Sequence, residues 1–161
     1  MRKAIMIAGL VLAFGVLAPA TALGKAGGTD RPISVHQSGT TVVDVGTLAF
    51  TTETTGIVSH MGKSTAEIEG VITLTGPDTF TIAGSAVIVA ANGDELFGTF
   101  TGSGTNTPGG GSQGTVDVTY SGGTGRFTNA SGTASGPFTQ TPTGTTATFA
   151  TDISQSGTIS Y

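Results

Sequence analysis

Glycine recurs so often after residue 23 that no helix longer than a few turns fits between its occurrences, and threonine, valine and isoleucine fill the intervals. Glycine weakens a helix interior, and β-branched side chains favour extended backbone, so the chain is driven towards strands. The clearest strand is Phe80 to Ala90. Phe80, Ile82, Ala86 and Ile88 share one face, and Thr81, Ala83, Ser85, Val87 and Val89 take the other. It is apolar enough on both faces to be central in a sheet. Asn92-Gly93 follows and predicts a type I′ hairpin, because both residues tolerate the positive φ of that turn. Asp94 to Thr101 is then expected to pair antiparallel with the preceding strand.

The same alternation extends outward. Lys63 to Thr75 places Ile68, Ile72 and Leu74 on one face and Glu67 and Glu69 on the other, closed by a Gly76-Pro77-Asp78 turn. Upstream, Val42 to Thr52 and Gly56 to His60 read as shorter strands. Downstream, Thr115 to Tyr120 sets Val116, Val118 and Tyr120 against Thr115, Asp117 and Thr119, and Ser131 to Phe138, Thr145 to Asp152 and Gly157 to Tyr161 complete the set. Short strands at this spacing with Gly and Pro turns predict an all-β sandwich or barrel. A closed antiparallel barrel of about eight strands is preferred, because closure removes the edges that a threonine-rich, β-prone chain would expose. Gly102 to Gly114 has little apolar content and much glycine, and is expected to be a flexible loop. Residues 23–40 are expected to form a flexible N-terminal segment and a first short strand, with the barrel domain covering 41–161.

The first 22 residues set the compartment. Arg2 and Lys3, the apolar run Ile5 to Leu17 and Ala20-Thr21-Ala22 read as a secretory signal peptide, helical in its apolar part, with the mature chain starting near Leu23. The expected location is secreted or periplasmic, with membrane contact only for export. Both leader cations lie in residues 1–22 and all ten acids lie after them, leaving four cations against ten acids. That balance argues against a nucleic-acid partner, since phosphate contacts need clustered Lys and Arg. The chain has no cysteine, which excludes disulfides, thiolate metal sites and a cysteine nucleophile. An outer-membrane barrel is disfavoured by the absence of tryptophan and of aromatic girdles.

Tyr120-Ser121-Gly122-Gly123-Thr124-Gly125-Arg126-Phe127, continuing through Ala130-Ser131-Gly132, resembles the glycine-rich turn and following strand of the allene oxide cyclase and dirigent superfamily, and is closest to its exported bacterial members. Ser59-His60-Met61-Gly62, the Ala91 to Asp94 hairpin and Gly157 to Ile159 match the same pattern. The resemblance covers about Val42 to Tyr161. It implies a calycin-like antiparallel barrel around an apolar interior, and oligomerisation by analogy. The plant enzymes cyclise or orient lipid-derived or phenolic substrates with polar groups inside the barrel, and no such constellation is matched here residue by residue.

No catalytic or metal-ligating set emerges, and no cofactor is implied. Gly122 to Phe127 invites a phosphate-loop reading, but no helix is expected after it and the spacing fits no nucleotide motif, so it reads as a turn returning Phe127 to the core. Arg126 is a candidate ligand-binding cation at the barrel mouth, or a structural partner of Asp117 or another carboxylate. His60 is the second candidate ligand-binding residue, and neither it nor His36 sits in a metal motif. Asn92 to Glu95 lacks the acidic spacing of a calcium loop, and Glu67 and Glu69, about 7 Å apart on one strand face, are placed on the wet side. No Gly-x-Ser-x-Gly elbow is present. Three readings follow: an exported non-enzymatic barrel with a binding or structural role, a carrier of one small apolar ligand, and a cyclase or isomerase of the allene oxide cyclase or dirigent type.

Overall fold

The computed structural model describes residues 28–161. The leader assigned to residues 1–22, its helix, and residues 23–27 lie outside the described part. Eight strands follow one another: β1 (Arg31–Val43), β2 (Ala49–Val58), β3 (Gly62–Leu74), β4 (Thr79–Ala90), β5 (Glu95–Asn106), β6 (Ser112–Gly123), β7 (Ser131–Pro142) and β8 (Thr148–Ser160). Each pairs antiparallel with its sequence neighbour. β1 also pairs antiparallel with β8, from Arg31 opposite Ile159 to Val42 opposite Thr148, and closes the barrel. The closed all-β barrel expected from the alternation is the fold, and closure leaves no strand edge unpaired.

Two rows of side chains shape the interior. Phe50 on β2 is in register with Gly70 on β3, Gly70 with Gly84 on β4, and Gly84 with Phe100 on β5. The second row repeats the order with Phe80 on β4, Gly104 on β5, Gly114 on β6 and Phe138 on β7. In each row the two rings lean over the glycine pair and meet, with centroids 6.2 Å and 6.4 Å apart and tilted planes. A Cβ on Gly70 would stand 2.8 Å from Phe50 Cζ, and one on Gly104 would stand 2.6 Å from Phe80 Cζ. Each ring therefore fills the volume of its neighbour's missing side chain and lies along the wall, leaving the barrel axis clear.

One end of the barrel is plugged. Phe127, Leu96, Val58, Ile33 and Ile159 are each at most 1% exposed there, so no solvent passes that floor. A one-turn 3-10 helix at Gly125–Phe127 delivers the Phe127 ring, which packs 4.9 Å from the Tyr161 ring. Among the described residues no helix is long and apolar enough to cross a membrane.

Several boundaries differ from the sequence reading. The segment 23–40, expected to hold a flexible stretch and a first short strand, contributes the 13-residue strand β1 from Arg31 onward, with Ile33, Val35 and Gln37 inward. It pairs with β2 across a local turn, and its second partner, β8, meets it only when the barrel closes. Val42 to Thr52 is not one strand: Asp44 breaks it, its carboxylate accepting the Gly46 amide at 2.8 Å, and Leu48 turns at φ 58°. Gly56 to Val58 is the end of β2, and Thr145 to Asp152 and Gly157 to Tyr161 are parts of one strand, β8. The largest correction is Gly102 to Gly114. It is strand except for residues 107–111, because Gly102, Gly104 and Gly114 face inward beneath aromatic or aliphatic side chains. The hairpin after β4 is not type I′. Gly93 donates to Ala90 O at 2.9 Å with φ 87°, whereas Asn92 keeps negative φ, giving a three-residue loop with glycine in the left-handed position.

The ring–glycine rows make a quantitative expectation. Gly104→Ala is expected to cost about 1–3 kcal/mol through overpacking. Combined with Phe80→Leu it should cost less than the sum of the single changes, because both act on one volume. Urea unfolding of the four proteins measures this, and strict additivity would contradict the packing described.

Candidate functional site

The clear axis is a cavity of about 420 Å³ that opens at the end of the barrel opposite the Phe127 plug. The volume lies within the range of small-molecule sites, and an eight-strand barrel is just wide enough for one such ligand. The mouth is rimmed by Val45, Leu48, Leu74, Asn106 and Ala147 from four loop regions. Val45 and Leu74 are 72% and 62% exposed, so the entrance itself is apolar.

Strand parity divides the wall into two faces. On β3 to β6 the inward positions are occupied mainly by apolar side chains such as Ile68, Ile82, Ile88, Val116 and Val118, with Phe80 and Phe100 from the ring rows. From β6 round through β8 to β2 inward amides and hydroxyls alternate with apolar side chains such as Val35, Val43, Phe149 and Ile153, and the polar ones are joined in a belt. Ser112 Oγ donates to Gln140 Oε1 at 2.8 Å, and Gln140 Nε2 donates to Thr41 Oγ1 at 3.1 Å and to Thr151 Oγ1 at 3.3 Å. Thr41 Oγ1 also lies 2.7 Å from both Thr52 Oγ1 and Thr151 Oγ1. A hydroxyl has one donor and two acceptor positions, so Thr41 is saturated by these three partners. Deeper, Gln37 accepts from Thr54 Oγ1 at 3.1 Å and donates to Ser64 Oγ at 3.3 Å. The belt crosses the β1–β8 seam and ties the last strand to the first by side chains as well as backbone.

Two buried polar groups stand outside this network. Gln155 on β8 is 8% exposed and lines the cavity, yet makes no side-chain hydrogen bond among the described residues. Tyr120 on β6 forms part of the floor with its ring, and its hydroxyl is sealed from solvent with no partner. Burial pushes that hydroxyl up to about 12. Tyr120 is the one titratable side chain among the residues lining the cavity; no Asp, Glu, His, Lys or Arg is among them.

The candidate residues from the sequence lie elsewhere. His60 sits in the β2–β3 turn at the plugged end, at φ 68°, where Nε2 donates to Pro32 O at 2.8 Å and the ring packs 5.8 Å from Tyr161. Arg126, in the turn after β6, pairs with Asp94 at 3.3 Å and lies over the Phe127 ring. Its partner is thus a carboxylate of the β4–β5 turn, not Asp117. Both residues are at the plugged end, Tyr161 lies between His60 and Phe127, and neither reaches the cavity. Their proximity to the glycine-rich turn reflects how that turn is fastened to the barrel floor. His36 faces outward on β1 with Nδ1 3.1 Å from Ser154 Oγ, in a shallower groove beside Pro137, which interrupts the β7–β8 ladder. Glu67 and Glu69 face solvent, as read from the sequence. Among the described residues no group of three or more His, Cys, Asp or Glu is placed to hold a metal ion.

Gln37, Thr41, Gln140, Gln155 and the ring of Tyr120 were not singled out by motif. Their signal was parity: each is a polar or polar-tipped side chain at an inward strand position. Comparison with protein-family models, curated proteins and solved structures gives no match for this chain.

The two kinds of buried hydroxyl predict opposite mutational signs. Thr41→Val should destabilise by about 1–3 kcal/mol, since its partners lose a saturated centre, whereas Tyr120→Phe should stabilise by about 1 kcal/mol by removing an unpaired polar atom. An unfolded tyrosine ionises near 10, so above that pH the unfolded chain sheds the proton that native Tyr120 retains. The native-state advantage is intact below pH ~10 and is lost as pH rises through the folded value near 12, on the order of 2–3 kcal/mol. Denaturant unfolding across this window should show the loss in the wild type and a smaller loss in Tyr120→Phe.

Proposed function

We propose that this protein is an exported, non-enzymatic binding protein that carries one small, uncharged, largely apolar molecule inside its barrel. The observation that carries the reading is the 420 Å³ cavity, open at an apolar mouth and walled by aliphatic and phenylalanine side chains. A filled interior would have removed the carrier reading, and the ring–glycine rows are what keep the axis open. Export is supported by the leader-like first 22 residues, and the resemblance to exported members of the allene oxide cyclase and dirigent superfamily fits a barrel with an apolar interior.

Binding is favoured over cyclase or isomerase chemistry by the character of the wall. Acid–base catalysis needs a group that gains or loses a proton near working pH, within reach of the substrate. The belt consists of neutral amides and hydroxyls, and Tyr120 holds its proton up to about 12. His60 and Arg126 are fastened at the far end.

Titration with N-phenyl-1-naphthylamine, an uncharged apolar fluorophore, tests the reading. The barrel is expected to bind it saturably at one site. Ala86→Phe, which points a ring into the cavity, should weaken binding roughly tenfold or more, at about 1.4 kcal/mol per tenfold. Ser85→Phe, the adjacent outward position, should leave binding unchanged. Equal binding by both variants would remove the cavity as the site.

A further inference from the structure

We propose that Gln155 is the specificity-determining residue of the cavity, and that the ligand is a neutral amphiphile whose single polar end hydrogen-bonds its amide. This rests on the ligand-binding reading above and adds the chemical class of the ligand. The three inward glutamines make the argument by contrast. Gln37 is held by Thr54 and Ser64, and Gln140 by Ser112, Thr41 and Thr151. Gln155, between Ile153 and Gly157 on the inward face of β8, has neither kind of partner. It is more than nine-tenths buried, yet its amide is not among the sealed polar atoms, so it still meets cavity space. A buried amide without a partner costs free energy, and a leucine or methionine in its place would meet no such cost. A ligand that supplies the missing hydrogen bond recovers it.

The same wall fixes the charge of the ligand. No cation or anion lines the cavity, so a carboxylate or ammonium would enter with no counter-charge and lose its hydration. A primary amide offers both donor and acceptor, which matches a hydroxyl or an uncharged carbonyl group. Across from the belt, the wall of β3 to β6 gives mainly apolar contact, its polar side chains Asn106 and Ser112 lying at the rim and within the belt. The polar end of the molecule therefore lies against β8 and β1 and its apolar body against the isoleucines and phenylalanines.

Three isosteric probes separate these statements: 2-naphthalenemethanol, 2-ethylnaphthalene and 2-naphthoate, titrated calorimetrically at neutral pH into the wild type, Gln155→Met and Gln155→Leu. The affinity ratio of the alcohol to the hydrocarbon should fall roughly three- to tenfold in both variants. The hydrocarbon alone should bind the variants as well as or better than the wild type, which a misfolded variant would not do. Naphthoate should bind the wild type at least roughly a hundredfold more weakly than the alcohol. An unchanged alcohol-to-hydrocarbon ratio would overturn the role of Gln155 while leaving the cavity a binding site, and naphthoate binding equal to the alcohol would overturn the neutrality of the ligand. Failure of all three probes and of N-phenyl-1-naphthylamine to bind the wild type would instead remove the binding reading itself.

Discussion

The interior depends on aromatic rings being laid over glycines. An eight-strand barrel has little room at its axis, and four phenylalanines pointing freely inward would fill it. Gly70, Gly84, Gly104 and Gly114 remove the side chains that would hold those rings away from the wall. The same positions bring backbones close: a Cβ on Gly84 would run into the Glu69 carbonyl and the Gly70 backbone as well as Phe100. Glycine at such a position permits the bend a small barrel requires. Packing and curvature thus come from one residue choice, and the cavity is its by-product.

The division of the wall follows from that arrangement. Both ring rows lie within β2 to β7, so the apolar face is widest on β3 to β6, and the inward polar side chains concentrate around the β1–β8 seam, interleaved with Val35, Val43, Phe149 and Ile153. Buried polar groups are tolerated when every member of a network is satisfied. Thr41, Gln140 and Gln37 meet that condition, and the belt they form reinforces the one strand pairing that no hairpin brings together. Gln155 and Tyr120 do not meet it. An unsatisfied amide open to a cavity has the chemistry of recognition, whereas a sealed, unsatisfied hydroxyl only costs stability.

The plugged end accounts for the residues that the sequence made conspicuous. The glycine-rich run from Gly122 to Phe127 combines two left-handed glycines, Gly122 and Gly125, with a one-turn helix that drives Phe127 into the floor. Gly125 also leaves room for the Asp94 carboxylate, which pairs with Arg126. His60 and Tyr161 complete this cap, and Arg31 Nη1 donates to the Tyr161 hydroxyl at 2.7 Å. Motif-like density in the sequence therefore marked the floor of the barrel, while its functional candidate lies on strands with no motif at all.

Two-residue alternation and turn glycines by themselves determined the class of fold, the antiparallel order of neighbouring strands from β3 to β5 and the outward placement of Glu67 and Glu69, because side-chain parity is a local property of extended chain. Only the closed structure decided the rest. The sequence shows only a short strand within 23–40 because one partner of β1 is more than a hundred residues away in β8, and Gly102 to Gly114 reads as a loop because its glycines are explained by rings on other strands. A cavity is likewise a relation among all eight strands. Parity could say that Gln155 points inward, but whether it meets a partner or empty space depends on what β1, β6 and β7 place opposite it, and that is fixed by closure.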